Sequence, residues 1–138
     1  MATRLPKDYS PSETEKFMSA RQKEYFRRKL LIWKDRILKE AMGTLESLQT
    51  ESLKEPDIAD RASSETDRSI ELRARDRQRK LVTKIETALG KLENGEYGYC
   101  EVSGEPINLK RLDARPIASM TLEAQEMHEK MEKVHRDD

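Results

Sequence analysis

The chain has 138 residues, of which 39% are charged and 35% hydrophobic, and its net charge is zero. That length suits one domain, and the composition leaves too little apolar material for a thick globular core but enough for a helix–helix seam and a small cap. Zero net charge gives no bulk electrostatic case for nucleic acid or membrane, the single cysteine, Cys100, rules out an intrachain disulfide, and the longest aliphatic or aromatic run, Leu30-Leu31-Ile32-Trp33, falls far short of the roughly 20 residues that span a bilayer.

The opening Met1-Ala2-Thr3-Arg4-Leu5-Pro6 has no apolar signal-peptide core, so a cytoplasmic protein is expected. Residues 1–17 hold two prolines and no periodicity, which predicts a flexible arm, with Ser12-x-x-Glu15 as a capping box able to start a short helix. From Met18 to Leu53 the spacing predicts one long helix. Phe26, Leu30, Trp33, Ile37, Ala41, Leu45 and Leu48 recur every three or four residues, interrupted only by the weak helix former Gly43. Such a helix would reach roughly 50 Å at 1.5 Å per residue.

Pro56 then stops the helix, because it has no N–H and its ring clashes with the preceding turn. The stretch 54–63 is therefore the tip of an antiparallel hairpin spanning 18–94. Ser63 or Ser64 is placed to cap the second helix, whose seam is expected to use Ile70, Ala74, Leu81, Ile85, Ala88, Leu89 and Leu92. Arg77 and Gln78 interrupt that seam, and Asn94-Gly95 supplies the stop. Residues 95–138 form a second unit. Tyr97-Gly98-Tyr99-Cys100 and Glu105-Pro106-Ile107-Asn108-Leu109 are predicted as two short strands around a Ser103-Gly104 turn, and a last helix runs from Thr121 to Lys133.

Charge is unevenly distributed. Residues 46–71 carry eight acidic and three basic side chains, and residues 73–84 carry six basic and one acidic. At the tip stand Asp57 and Asp60, with Ile58, Ala59 and Ala62 small enough to enter a narrow space. Aspartate is also common in turns and caps, so a structural role weighs equally on chemistry alone. In the basic band Arg73, Arg77, Lys80 and Lys84 share one helix face, a solvated surface or a stripe for an acidic rim or a phosphorylated nucleotide. Single-stranded nucleic acid fits less well, since interleaved aromatics are absent. Cys100-x-x-Ser103-Gly104 has the outline of half a zinc knuckle with one sulfur, whereas structural zinc needs four ligands. Cys100 is better taken as a small, partly buried residue in a module packed around Tyr97, Tyr99, Ile107, Leu112 and Met120, and His128 and His135 are poor candidates to complete a metal site.

The run Pro56-Asp57-Ile58-Ala59-Asp60-Arg61-Ala62, the helix Ile70 to Leu81, and Gly98-Tyr99-Cys100-Glu101 followed by Gly104 and Arg111-Leu112-Asp113-Ala114-Arg115-Pro116 together resemble the DksA/TraR family of bacteria. The resemblance covers roughly residues 18–130. It implies a mainly α fold: a long antiparallel coiled-coil hairpin plus a small globular module like a degenerate zinc finger and a C-terminal helix. It implies a monomeric, non-enzymatic regulator that binds RNA polymerase through the secondary channel and contacts no specific DNA sequence. With ppGpp such proteins destabilise open promoter complexes in the stringent response, repressing ribosomal RNA promoters and activating some amino-acid promoters. Carried onto this chain, the tip residues are Asp57, Asp60 and Ala62. The polymerase rim and ppGpp residues are Arg77, Leu81, Lys84 and Arg115, and a family lysine falls at Gln125. Of the family's four zinc cysteines only Cys100 remains, the others falling at Ser103, Thr121 and Ala124, so a zinc-independent variant is expected. Two other classes remain open. One is a Gre-like transcript-cleavage factor whose tip acids hold a metal, and the other is a structural coiled-coil adaptor, against which the thin seam at Arg77 argues.

Overall fold

A computed structural model describes the backbone of residues 3–52 and 58–137, with side chains over 3–43 and 65–135. Among the described residues four helices occur in order: α1 (Ala20–Ser52), α2 (Ile58–Asn94), α3 (Leu109–Ala114) and α4 (Leu122–Asp137). The chain divides into two compact units, Met1–Leu30 with Thr87–Asp138, and Leu31–Glu86. The mainly helical class and the long helical hairpin expected from the sequence are both present.

Helix α1 begins later than Met18 because the operative cap is Ser19. Its Oγ accepts the Gln22 N–H at 3.3 Å, and its carbonyl accepts the Lys23 N–H at 3.0 Å. Gln22 is wholly buried, yet both ends of its amide are satisfied: Oε1 accepts the Met18 N–H at 2.8 Å and Nε2 donates to the Ser12 carbonyl at 3.1 Å. This is a variant of the capping box, Ser19-x-x-Gln22, in which the Gln22 side chain reaches the N–H one residue before the cap, directly ahead of the apolar period. The Ser12-x-x-Glu15 box does form its reciprocal contact, Ser12 N–H to Glu15 Oε1 at 3.3 Å, but it closes only a turn. Met18, at φ 54°, breaks any helix that would run from one box into the other. Residues 3–19 thus contain turns and no helix.

Helix α2 starts at Ile58, so Ser63 and Ser64 lie inside it and do not stand at its start. The run Ile58-Ala59-Asp60-Arg61-Ala62 holds no glycine or proline, and nothing in it opposes a helix. Its inward positions follow a heptad: Glu71, Ala74, Gln78, Leu81, Ile85, Ala88 and Leu92 are all at least half-buried. Ile70 falls outside that period and is 56% exposed, which corrects its expected place in the seam. The seam position beside it goes to Glu71. In the unit Leu31–Glu86 the apolar centre is Ile37 and Ile85, and Lys34 pairs with Glu86 at 3.2 Å across the hairpin.

The other unit packs Phe26 and Leu30 of α1, Ala88 of α2, and Tyr97, Ile107, Leu109 and Leu112 of the module around one another. Tyr97 lies 5.5 Å from the Phe26 ring and donates its hydroxyl to the Pro116 carbonyl at 2.7 Å. The two predicted strands shrink to one antiparallel bridge, Tyr99 with Pro106, among the described residues. It is flanked by Cys100 N–H to Glu105 O at 2.8 Å and Ile107 N–H to Gly98 O at 2.7 Å. The ladder cannot extend, since Pro106 offers no donor and Gly98 and Gly104 have φ of 90° and 74°. Leu109, expected in a strand, is the first residue of α3. Asn108 caps that helix by accepting the Lys110 N–H at 2.8 Å, and the residue before Pro116 ends it. Thr121 caps α4, its Oγ1 accepting the Ala124 N–H at 3.2 Å.

Gly98 is required twice over. Its φ is strained for any residue with a Cβ, and a Cβ there would lie 3.0 Å from Met18 Cε and 3.1 Å from Phe17 Cζ. Gly98→Ala is expected to lower stability by about 1–3 kcal/mol, read as a drop in thermal midpoint. An unchanged midpoint would show that the Phe17–Met18 segment does not hold its place against Gly98.

Candidate functional site

Asp57 lies outside the described residues. Asp60 and Ala62 are within the first turns of α2, and their side chains lie outside the described set.

The basic band is fully described. At about 100° per residue, Arg73, Arg77, Lys80 and Lys84 fall on one face of α2, and all four are exposed, so the stripe expected from their spacing exists. Its ion pairing is slight. Lys80 approaches Asp76 at 3.8 Å and Arg79 approaches the same carboxylate at 3.9 Å, distances at which surface pairs contribute little. Arg77 and Lys84 have no carboxylate partner among the described residues. Leu81 is half-buried at the seam beside the stripe. Arg75 is half-buried and lies with Arg79 on the opposite face, apart from the stripe.

In the other unit Arg115 is exposed at the end of α3, its N–H bonded to the Arg111 carbonyl at 2.8 Å. What fixes it is a cluster that sequence reasoning missed. Two residues earlier, Asp113 Oδ1 accepts the Tyr25 hydroxyl at 2.5 Å and the Lys29 ammonium at 2.6 Å, and the same ammonium reaches the Asp113 carbonyl at 2.6 Å. Burial pushes the Asp113 carboxyl up, but the bonds from Lys29 and Tyr25 pull it down further, so its net shift is downward. Burial first, then the Asp113 carboxylate, push Tyr25 up to about 12. Each of these residues is unremarkable in sequence, and only the fold brings α1 and α3 together. On α4, Gln125 is half-buried and donates to Glu129 at 3.0 Å.

The four positions that correspond to zinc ligands do converge, but as a hydrogen-bond cluster. Cys100 is 3% exposed. Its Sγ accepts the Ser103 N–H at 3.4 Å and the Thr121 hydroxyl at 3.9 Å, and Thr121 in turn caps the N–H of Ala124. One sulfur, two hydroxyls and a methyl group do not make a zinc donor set. No group of three or more His, Cys, Asp or Glu able to hold a metal occurs among the described residues. His128 is engaged elsewhere, 3.0 Å from Glu132. Nor is any described helix long and apolar enough to cross a membrane.

The sulfur's surroundings are polar in effect. Burial pushes the Cys100 thiol up, but hydrogen bonds from Ser103, Thr121 and Val102 outweigh it and bring the thiol down to about 6. Its folded value thus lies below its ordinary value of 9.0, so the contribution to stability is full above 9.0 and is lost as pH falls through about 6. Thiolate absorbance near 240 nm is expected to titrate with a midpoint of about 6 in the folded protein, and Cys100→Ala should flatten the stability profile across this pH window. A midpoint at the ordinary thiol value would show that burial outweighs the donors.

Two family models cover nearly all of this architecture. The N-terminal domain of DnaK suppressor protein DksA matches residues 22–92, and the prokaryotic dksA/traR C4-type zinc finger matches residues 95–130. The chain is 62% identical over 131 residues to the RNA polymerase-binding transcription factor DksA of Caulobacter vibrioides (strain NA1000 / CB15N), covering 95% of this chain and 92% of that one. It is 40% identical over 125 residues to the protein of the same name from Escherichia coli (strain K12), covering 91% and 83%. Among solved structures it is similar to transcription factor DksA2 from Pseudomonas aeruginosa, with a TM-score of 0.79 at 38% identity, covering 85% of this chain and 90% of that one. The zinc-finger match over 95–130 therefore falls on a segment whose own donor set does not suit zinc.

Proposed function

This chain belongs to the DksA family, and from that premise we propose that it is an RNA polymerase-binding transcription regulator acting through the polymerase secondary channel. The observation that carries this is the hairpin itself. Two helices of 33 and 37 residues follow one another in sequence, with Asp57 in the segment that joins them and Asp60 in the first turn of the second. Short carboxylates flanked by Ala59 and Ala62 suit a confined polar space, and here they act near the polymerase active site to destabilise open promoter complexes. The protein supplies no catalysis of its own. It acts without contacting specific DNA sequences and as a monomer. Its targets are the promoters of the stringent response: ribosomal RNA promoters are repressed and some amino-acid promoters activated.

The effector is ppGpp, held against polymerase. The exposed cations Lys84 and Arg115 suit its phosphates, Arg115 by bidentate bonds, and Leu81 offers apolar contact. Gln125 supplies an amide where the family carries a lysine, so one charge-assisted contact is replaced by a weaker neutral one. Arg77 on the same α2 face as Lys84 docks at the channel rim. Zinc is not needed, because the module's core and the Cys100 cluster are made of its own side chains.

In single-round transcription from a ribosomal RNA promoter with cognate polymerase, the protein is expected to repress and ppGpp to deepen the effect, while Asp60→Asn abolishes repression with the melting curve unchanged. Full repression by Asp60→Asn would refute the role given to the tip. Independently, purified protein should carry no stoichiometric zinc by elemental analysis and should melt identically with and without chelator, whereas a chelator-dependent drop would mean that a metal holds the module.

A further inference from the structure

The flank of the hairpin opposite the basic stripe carries a groove. It is lined by Ile37, Leu38 and Ala41 of α1 and by Arg75, Gln78, Arg79 and Val82 of α2, and encloses about 190 Å³. At about 100° per residue, Arg75, Arg79, Val82 and Glu86 share one face of α2, roughly opposite the face of Arg73, Arg77, Lys80 and Lys84. The groove exists because of the sequence at the seam. Gln78 sits at a heptad position where a leucine would fill the space beside Ile37 and small Ala41, and its Oε1 is buried without a hydrogen-bond partner. The floor is apolar and open: Leu38 is 47% exposed, and Met42, one turn beyond it, is 64% exposed.

The charges on this flank say what fits. Lys34 is already paired with Glu86. Arg79 has only the 3.9 Å approach of Asp76, and Arg75 has no carboxylate partner among the described residues. Two guanidinium groups four residues apart on a helix stand about 5–6 Å apart at their bases. That spacing matches carboxylates one turn apart on a second helix, with an apolar face between to cover Leu38 and Val82.

Building on the polymerase-binding function, we infer that this flank docks an acidic amphipathic helix of RNA polymerase, on the side of the hairpin away from the Arg77–Lys84 stripe. The hairpin is then gripped from two sides. The stripe meets one wall through exposed charge, and the groove meets another through burial of Leu38, Ala41 and Val82 framed by Arg75 and Arg79.

The test is site-specific photocrosslinking of the full chain to cognate polymerase, with benzoylphenylalanine at position 38 in the groove or at position 80 on the stripe, and the linked segments identified by mass spectrometry. Position 38 is expected to link to an acidic helical segment, and position 80 to a different segment. The pair Arg75→Glu and Arg79→Glu should cut the yield at position 38 by roughly tenfold, as loss of complementary charge does at an interface. Gln78→Leu should also cut it by filling the groove, while raising the melting temperature, which separates occlusion from misfolding. Crosslinking at 80 but not at 38, or from 38 to a non-acidic segment or a second copy of the chain, would overturn the groove assignment and leave polymerase binding standing. No crosslink from either position would overturn both.

Discussion

Tyr97 is the residue on which the module depends. Its ring is buried against Phe26 of α1, and its hydroxyl reaches the Pro116 carbonyl, so one side chain ties together the helix, the turn after α2 and the segment after α3. Burying a phenol hydroxyl without a partner would cost about 1–3 kcal/mol, and Pro116, which has no N–H to offer, supplies its carbonyl instead. Burial also holds the Tyr97 hydroxyl well above its ordinary pKa, so it stays a neutral donor at physiological pH. Apolar packing is the centre of the module, and the remaining polar groups fall in around it. Asp113 fastens α3 to α1, Arg111 donates from Nε to the Met120 carbonyl at 3.1 Å, and Thr121 starts α4.

The cluster at Cys100 is built in the same way. Ser103 and Thr121 keep the geometry of a site that converges on Cys100, but they converge as donors to one sulfur. The arrangement favours a thiolate, and its low exposure keeps reagents away from it. A pocket of about 430 Å³ lies beside it, lined by Val102, Ala124, Met127 and Met131 among others, where α4 passes the turn.

Much of this was legible in the sequence, and the failures have local causes. The two long helices, the Asn94-Gly95 stop and the exposed stripe Arg73–Arg77–Lys80–Lys84 follow from periodicity and from what glycine does to a backbone, while the break expected at Pro56 lies outside the described residues. Helix α1 starts after Met18 because that buried residue has φ 54°, which a helix cannot include, and Ser19 caps the first turn. The seam of α2 was misread at Ile70 because hydrophobicity was followed there instead of phase, while the heptad sets Glu71 and Gln78 inward. Helix α3 was missed because six residues are too few to show a period, although Asn108 and the Arg115-Pro116 step mark both of its ends. At the site, charge spacing along one helix was readable. The Tyr25–Lys29–Asp113 cluster was not, because its members are more than 80 residues apart.

Glu71 and Gln78 have a thermodynamic meaning of their own. Each occupies a heptad position, and each leaves a carboxylate or amide oxygen buried without a partner. Toward Ile85 and Ala88 the same seam is apolar and closed. Cohesion therefore falls along α2 from its C-terminal half toward residue 71, and the helices can part at that end while staying zipped at the other. A hairpin graded in this way can yield toward residue 71 and stay stiff toward Ile85. The two polar seam residues set where that change occurs.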